Sequence, residues 1–215
     1  MKKFGMMIWG VVLAAVALAC FAGCNLQLPS VQDINSLVIY PEQYSITYEI
    51  EAKDGTVTQL CKTVDAQGNV YYQNGATEQL YLKNGEQYVL YQKDQNGELV
   101  TLPGSSYVKT YVDEQTKQFS EYAEMSKNQL MPTARKQGED EVLGRTCDVY
   151  VITVGGDKTG VKYSYYVDCA TGICLGYESG MSAAGFDLGA DGEIFRCTGF
   201  VTENVPCLAE FIKGE

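Results

Sequence analysis

The sequence predicts a mainly β protein: an antiparallel sheet with one central helix and a few short helices. Two observations support this class. Apolar and polar residues alternate over many short segments, and a side-chain period of two is typical of strands with one buried face. Turn signals that contain glycine, such as Asn74-Gly75 and Asn84-Gly85, separate these segments at intervals of about 7 to 13 residues. Such closely spaced turns favour an antiparallel meander over a repeat of strands and helices.

The first half of the chain is predicted to be a series of hairpin strands. The clearest strand starts at Tyr44 and ends at Glu51, because its apolar residues alternate with polar ones. A short element at 37–40 precedes it. Further strands are predicted at 56–64, 70–73, 79–82, 87–91 and 99–102.

The spacing of apolar residues changes to mostly three and four after Asp113, which predicts an amphipathic helix over 113–131. Asp113 is a suitable N-terminal cap, and Pro132 is expected to end the helix. The charged segment 134–141 that follows is predicted to be a loop.

The stretch Val142–Glu178 shows strand alternation most clearly. It predicts strands at 147–154, 161–168 and 173–178, with the first hairpin turn near Asp157-Lys158. Beyond this stretch the sequence predicts a glycine-rich, mobile loop at 180–192, a last strand at 193–201 and a short helix at 206–213.

The N-terminus has the features of a secretion signal: Lys2, Lys3, an uncharged apolar segment at 6–21, and small residues before Cys24. Small residues directly before a cysteine resemble the signal of bacterial lipoproteins, in which the cysteine thiol is acylated and the preceding peptide is removed. Cys24 is therefore the predicted lipidation site, with Cys20 as the second choice. The alternative is an uncleaved anchor helix, since the apolar segment approaches the length of a membrane span.

These features divide the chain into three parts and predict an extracytoplasmic protein, anchored by lipid to the bacterial membrane at the cell surface or in the periplasm. The parts are a signal peptide at 1–23, a lipid anchor and tether at 24–36, and a single β-sheet domain at 37–215.

The net charge of −11 and the lack of a basic tract argue against nucleic acid as a partner. Charge does not attract such a protein to an anionic membrane either, so acyl chains on Cys24 are the predicted membrane attachment. The chain contains no histidine, which removes Ser/His and Cys/His catalysis and imidazole metal ligands. The acidic segment 187–193 has the wrong spacing for an EF-hand calcium loop. The sequence therefore predicts no enzyme activity, no cofactor and no metal.

Six cysteines remain when the signal peptide and Cys24 are set aside, and an even number in an exported chain favours disulfides. The expected hairpin turn places Cys147 opposite Asp168 and beside Cys169, which leaves Cys174 for Cys197. The alternatives are a bridge between Cys169 and Cys174, or free cysteines buried in the core. The six candidates are Cys61, Cys147, Cys169, Cys174, Cys197 and Cys207.

Two motifs resemble the LolA/LppX-like superfamily of lipoprotein carriers. The first is Gly-x-x-Cys-x-x-Tyr at Gly144–Tyr150, and the second is the hairpin that contains Tyr165–Asp168 and Thr171–Ile173. The order of elements over 44–203 is similar as well. The resemblance implies a strongly curved sheet, or half-open barrel, whose concave side is covered by helices and holds acyl chains. A lipid-like ligand is therefore expected.

Tyrosine is abundant, with sixteen residues in the chain. Its apolar ring and polar hydroxyl suit the inner wall of a half-open barrel that touches a ligand. On the neighbouring strand, Val151 is expected opposite Tyr165 and Val149 opposite Val167. The predicted ligand-binding residues are Tyr44, Ile46, Tyr48, Val149, Val151, Tyr163 and Tyr165.

The alternative is that these tyrosines fill a solid core or pair across strands, as aromatic residues do in many sheets. The protein would then be a structural or interaction module without a small ligand. Its acidic exterior would bind an envelope protein partner.

Overall fold

The computed structural model describes residues 38–101, 104, 106–125, 134–156, 159–183, 186–189 and 192–212. All of these residues belong to one compact unit, Ile34–Glu215. The predicted signal peptide, the tether and Cys24 lie outside the described residues, and so do the turn residues Asp157 and Lys158.

Thirteen strands of the described chain form one antiparallel sheet. The strands are β1 (Tyr44–Glu51), β2 (Val57–Val64), β3 (Val70–Asn74), β4 (Thr77–Asn84), β5 (Gln87–Lys93), β6 (Leu99–Thr101), β7 (Tyr107–Val108), β8 (Arg135–Val142), β9 (Arg145–Gly156), β10 (Thr159–Asp168), β11 (Cys174–Ala183), β12 (Phe186–Gly189) and β13 (Ile194–Val201).

The order of the strands is β6-β5-β4-β3-β2-β1-β13-β11-β10-β9-β8, with β12 beside β11 and β7 beside β5. Two meanders thus meet where β13 returns to pair with β1. The sheet is curved and open, so the prediction of a mainly β protein with a half-open barrel is confirmed. Its turns are the expected ones: Gly75 and Gly85 have φ angles of 56° and 61°, in the left-handed region that favours glycine.

Two short helices lie where one long helix was predicted: α1 (Lys109–Gln115) and α2 (Lys117–Ala123). The prediction that Asp113 caps the helix was wrong, because α1 begins four residues earlier and Asp113 pairs with Lys109 inside it at 2.7 Å. The two helices meet at Thr116, which has a φ of −100° and a ψ of 11°. The predicted end at Pro132 lies outside the described residues. A 3₁₀ helix, Leu208–Ile212, confirms the short C-terminal helix.

The segment predicted as a charged loop at 134–141 is instead strand β8, which pairs with β9. Its side chains are almost all exposed. No apolar alternation marks such a strand, because it is held by backbone hydrogen bonds to its neighbour and buries little. The glycine-rich loop predicted at 180–192 was also partly wrong: β11 continues to Ala183, and β12 pairs back onto it.

The register of the β9–β10 hairpin agrees with one predicted pair of opposite residues and differs by one residue from the other pairs. Cys147 lies opposite Asp168 as expected, but Tyr165 lies opposite Tyr150, not Val151. Because side chains alternate between the faces of a sheet, a shift of one residue moves the whole set to the other face. Val149 and Val151 are therefore on the face opposite to Tyr165.

The main core lies between α2 and the sheet face that carries the odd-numbered tyrosines of β10 and the even-numbered ones of β1. We call this the helix-covered face. Tyr48, Phe119 and Phe195 are among its largest fully buried side chains. A second core cluster under α1 joins Tyr81, Leu90 and Val112. Each helix thus packs on one of the two core clusters.

The structure contains none of the predicted disulfides, because all six candidate cysteines are free. Cys147 is buried, whereas the neighbouring Cys169 points to the other face and donates to Asp148 Oδ1 at 3.3 Å. Cys174 and Cys197 each donate a thiol hydrogen to a carbonyl two residues ahead in their own strand, both at 3.3 Å.

Burial raises the pKa of Cys147 and Cys174 to about 12 and that of Cys197 to about 11. Because the thiolate is the reactive form, these three should resist alkylation in the folded protein. Iodoacetamide at about pH 8, below the ordinary thiol pKa, should modify the exposed Cys169 before these three, although burial and Asp148 raise the pKa of Cys169 as well. Peptide mass mapping would test this order. If any of these six cysteines is modified in denaturant only after reduction, it forms a bridge, which would contradict the free thiols.

Candidate functional site

The part of the helix-covered face formed by β1 is packed solid. Ile46, Tyr48 and Phe119 each have 0% of their surface exposed. The ring centre of Phe119 lies 5.6 Å from that of Tyr48 and 6.4 Å from that of Tyr44. Three predicted ligand-binding residues, Tyr44, Ile46 and Tyr48, therefore form core with α2 and do not line an open hollow.

A buried lysine completes this packing. Lys62 Nζ donates to Thr116 Oγ1 at 3.0 Å and lies 5.7 Å from the centre of the Phe119 ring. Burial lowers the pKa of Lys62 to about 8, although the carboxylates of Asp113 and Glu124 act in the opposite direction. The charge of this lysine is therefore held in the core at an energetic cost.

The partly exposed region of the same face lies on β9, β10 and β11. Tyr165 is opposite both Tyr150 and Tyr177, and Tyr163 is the next residue along that face of β10. The rings of Tyr163 and Tyr177 are 6.2 Å apart and inclined by 11°, while those of Tyr165 and Tyr177 are 5.1 Å apart. We call these four residues, Tyr150, Tyr163, Tyr165 and Tyr177, the tyrosine patch.

The tyrosine patch combines an apolar surface with neutral hydroxyl groups. Tyr165 is buried, whereas Tyr150, Tyr163 and Tyr177 are half-buried. Burial raises the pKa of Tyr150 and Tyr165 above the ordinary value, and Asp148, which accepts the Tyr150 hydroxyl at 3.3 Å, raises that of Tyr150 further. Tyr150 and Tyr165 therefore stay uncharged at neutral pH. Such a surface can stack on rings or apolar chains.

The structure brings Tyr163 and Tyr165 together with two residues that the sequence analysis missed, Tyr150 and Tyr177. The signal for Tyr150 was present, because a turn centred between Asp157 and Lys158 pairs residues whose numbers add to 315, as Tyr150 and Tyr165 do. Tyr177 follows from the next hairpin of the same meander. The predicted Val149 and Val151 lie on the other face and take no part in the patch.

The Asp-x-x-Thr-Gly motif of the second hairpin has a structural role. Asp168 is buried and accepts two hydrogen bonds from the Arg145 guanidinium, at 3.0 Å and 2.8 Å. It also accepts the backbone N–H of Thr171 at 2.9 Å. Arg145 lies over the Phe200 ring at 4.2 Å. These contacts connect β9, the β10–β11 turn and β13 at one end of the sheet.

Among the described residues, no cluster of three or more cysteine and acidic side chains could hold a metal ion. None of the helices in the described part of the chain is both long and apolar enough to cross a membrane.

Neither a protein-family model nor a curated protein matches this sequence. The solved complex structure of Pseudomonas aeruginosa MucA/MucB matches with 19% identity and a TM-score of 0.35, covering 79% of this chain and 54% of that chain. A crystal structure of MucB matches with 18% identity and a TM-score of 0.40, covering 83% of this chain and 59% of that chain. This chain thus spans little more than half the length of those proteins. Matches at these TM-scores assign no family, partner or activity to this chain.

Proposed function

We propose that the protein is a non-enzymatic lipoprotein of the bacterial envelope that binds another envelope protein through the tyrosine patch. Acyl chains on Cys24 would hold it outside the cytoplasm. The observation that supports this function is the contrast within one face. The region around Phe119 is packed solid, whereas three residues of the tyrosine patch remain half-buried.

Two further properties favour a protein as the ligand. Tyrosine is enriched in protein interfaces, because it contributes a large contact area with few rotatable bonds and a hydrogen-bonding tip. The net charge of −11 favours a partner with a basic surface and speeds their encounter.

A second candidate function is the binding of an amphiphile across the same patch. The nearly parallel rings of Tyr163 and Tyr177 favour it, since they form an apolar surface bordered by hydroxyl groups. An acyl chain would then lie on the patch and not in the packed region under α2.

Photo-crosslinking would separate these two functions. The photoreactive residue p-benzoylphenylalanine in place of Tyr163 should give one discrete, protein-sized adduct in intact cells. The matched control is the same residue in place of Tyr166, which lies on the opposite face of β10 and should not form that adduct. Lipid-sized adducts at position 163 would support the amphiphile. Identical results at both positions would contradict both functions.

A further inference from the structure

The chain enters the described domain at one end of the sheet. The backbone N–H of Ile39 donates to the carbonyl of Thr171 in the β10–β11 turn at 2.8 Å. The Tyr40 ring stacks on that of Tyr44 at 5.4 Å, and its hydroxyl donates to Glu124 Oε1 at 3.2 Å. The segment after the tether is thus fixed to this end, which we call the tether end.

Large apolar side chains extend from the tether end. Ile39 is 57% exposed, Leu143 at the β8–β9 turn is 51% exposed, and Val201 at the end of β13 is 47% exposed. The ion pair of Arg145 and Asp168 connects the start of β9 with the end of β10, and the Arg145 guanidinium lies 4.2 Å from the centre of the Phe200 ring on β13. Leu143 and Val201 lie within two residues of these contacts, and Ile39 is held by its hydrogen bond to Thr171.

Leu143 is unusual in its backbone as well as its exposure. Its φ is 53°, and Gly144 after it has a φ of 75°, so both residues of the turn are left-handed. Asparagine or glycine fits this turn without strain, whereas leucine is disfavoured there. Backbone strain at a largely exposed side chain often marks a functional position.

The length of the tether limits where the membrane can be. Residues 25–37 separate Cys24 from the first described residue, Val38, and an extended chain of that length spans at most roughly 50 Å. The other end of β1 lies one strand further away, about 26 Å for eight residues at ~3.3 Å each. The tether end is therefore the part of the domain that reaches the bilayer most easily.

We propose that the tether end is a membrane-contacting surface, with Leu143, Ile39 and Val201 inserted into the interface of the bilayer that holds the acyl chains of Cys24. This inference rests on the proposed lipidation. The exposed Asp140 and Glu141 beside the turn disfavour anionic headgroups, so the contact is apolar and suits zwitterionic lipid.

Tryptophan fluorescence offers a direct test, because the only tryptophan of the chain, Trp9, lies in the predicted signal peptide. Leu143→Trp and Ile39→Trp are made in the full chain, expressed with its own signal and reconstituted in phosphatidylcholine vesicles that contain brominated lipid. Each should lose roughly half of its fluorescence, since interfacial side chains lie within ~5–10 Å of the acyl boundary. Val57→Trp is the matched control, because Val57 is 58% exposed and pairs with Glu51 at the far end of β1.

The outcomes separate the two proposals. Protein that does not float with the vesicles contradicts lipidation at Cys24. Protein that floats, but in which the tryptophans at 143 and 39 are quenched no more than the one at 57, overturns the membrane contact while leaving the anchor intact. The two reporters at the tether end guard against a local folding defect in either variant.

Discussion

Phe119→Ala is expected to lower the free energy of unfolding by about 3–5 kcal/mol, as large-to-small changes of fully buried aromatic residues do. Phe119 has no exposed surface and packs on the rings of Tyr44 and Tyr48. The loss combines the transfer free energy of the ring with the free energy of the cavity left under α2. Urea unfolding followed by circular dichroism would measure it. Phe211→Ala is the matched control, because Phe211 is 51% exposed, and a change below about 1 kcal/mol is expected there.

The variant Phe119→Ala also tests whether the space between α2 and the sheet is fully packed. Phe119→Ala should open a hollow beside Tyr48 and gain affinity for an apolar dye that the wild type does not bind at this place. Strong dye binding by the wild type that Phe119→Ala leaves unchanged would contradict the packed core. Such a result would support an acyl-binding hollow elsewhere on the helix-covered face.

Lys62→Met is expected to stabilise the protein by about 2 kcal/mol at neutral pH. Burial lowers the pKa of Lys62 from 10.5 to about 8, which corresponds to roughly 3 kcal/mol at ~1.4 kcal/mol per pKa unit. Methionine has a similar volume and no charge, but it loses the hydrogen bond to Thr116, which offsets about 1 kcal/mol. Thr116 keeps a partner, because its hydroxyl also donates to the Asp113 carbonyl at 3.4 Å.

The stabilisation by Lys62→Met should decrease as the pH rises. Below pH 8 the lysine is protonated in both the folded and the unfolded wild type, so its full cost is present. Between about 8 and 10.5 the folded protein releases the proton before the unfolded chain does, and the wild type becomes more stable relative to the variant. The advantage of Lys62→Met should therefore shrink as the pH rises from 8 towards 10.

Chemical denaturation at a series of pH values would measure this trend. Lys53→Met is the control, since it removes the same charge from an exposed lysine and should change stability by less than about 0.5 kcal/mol at every pH. An equal response of both variants to pH would contradict the burial of the Lys62 charge. The groups that face Lys62 from the helices, Asp113, Lys109 and Glu124, are present in all three proteins.

The sequence by itself determined the strands that bury one face and the turns between them. Tyr44–Glu51 is an example, since its alternation is visible in the sequence and its buried positions follow it. Short-range signals suffice here, because side-chain period and glycine dihedrals act within a few residues. The mainly β class and the approximate bounds of most hairpins follow from them.

Only the tertiary structure decided which strands pair with each other. Strand β8 has no apolar pattern and exists because β9 supplies its backbone hydrogen bonds. The pairing of β13 with β1 joins residues far apart in the chain, and no local signal encodes it.

The candidate site was determined only in part by the sequence, for the same reason. Its tyrosines were recognised as a face, but Phe119 decides which of them are sealed and which stay half-buried. The residue opposite Tyr165 is Tyr150 and not the predicted Val151, a shift of one residue. This shift decides which side chains share that face, because neighbouring residues of a strand point to opposite sides of the sheet.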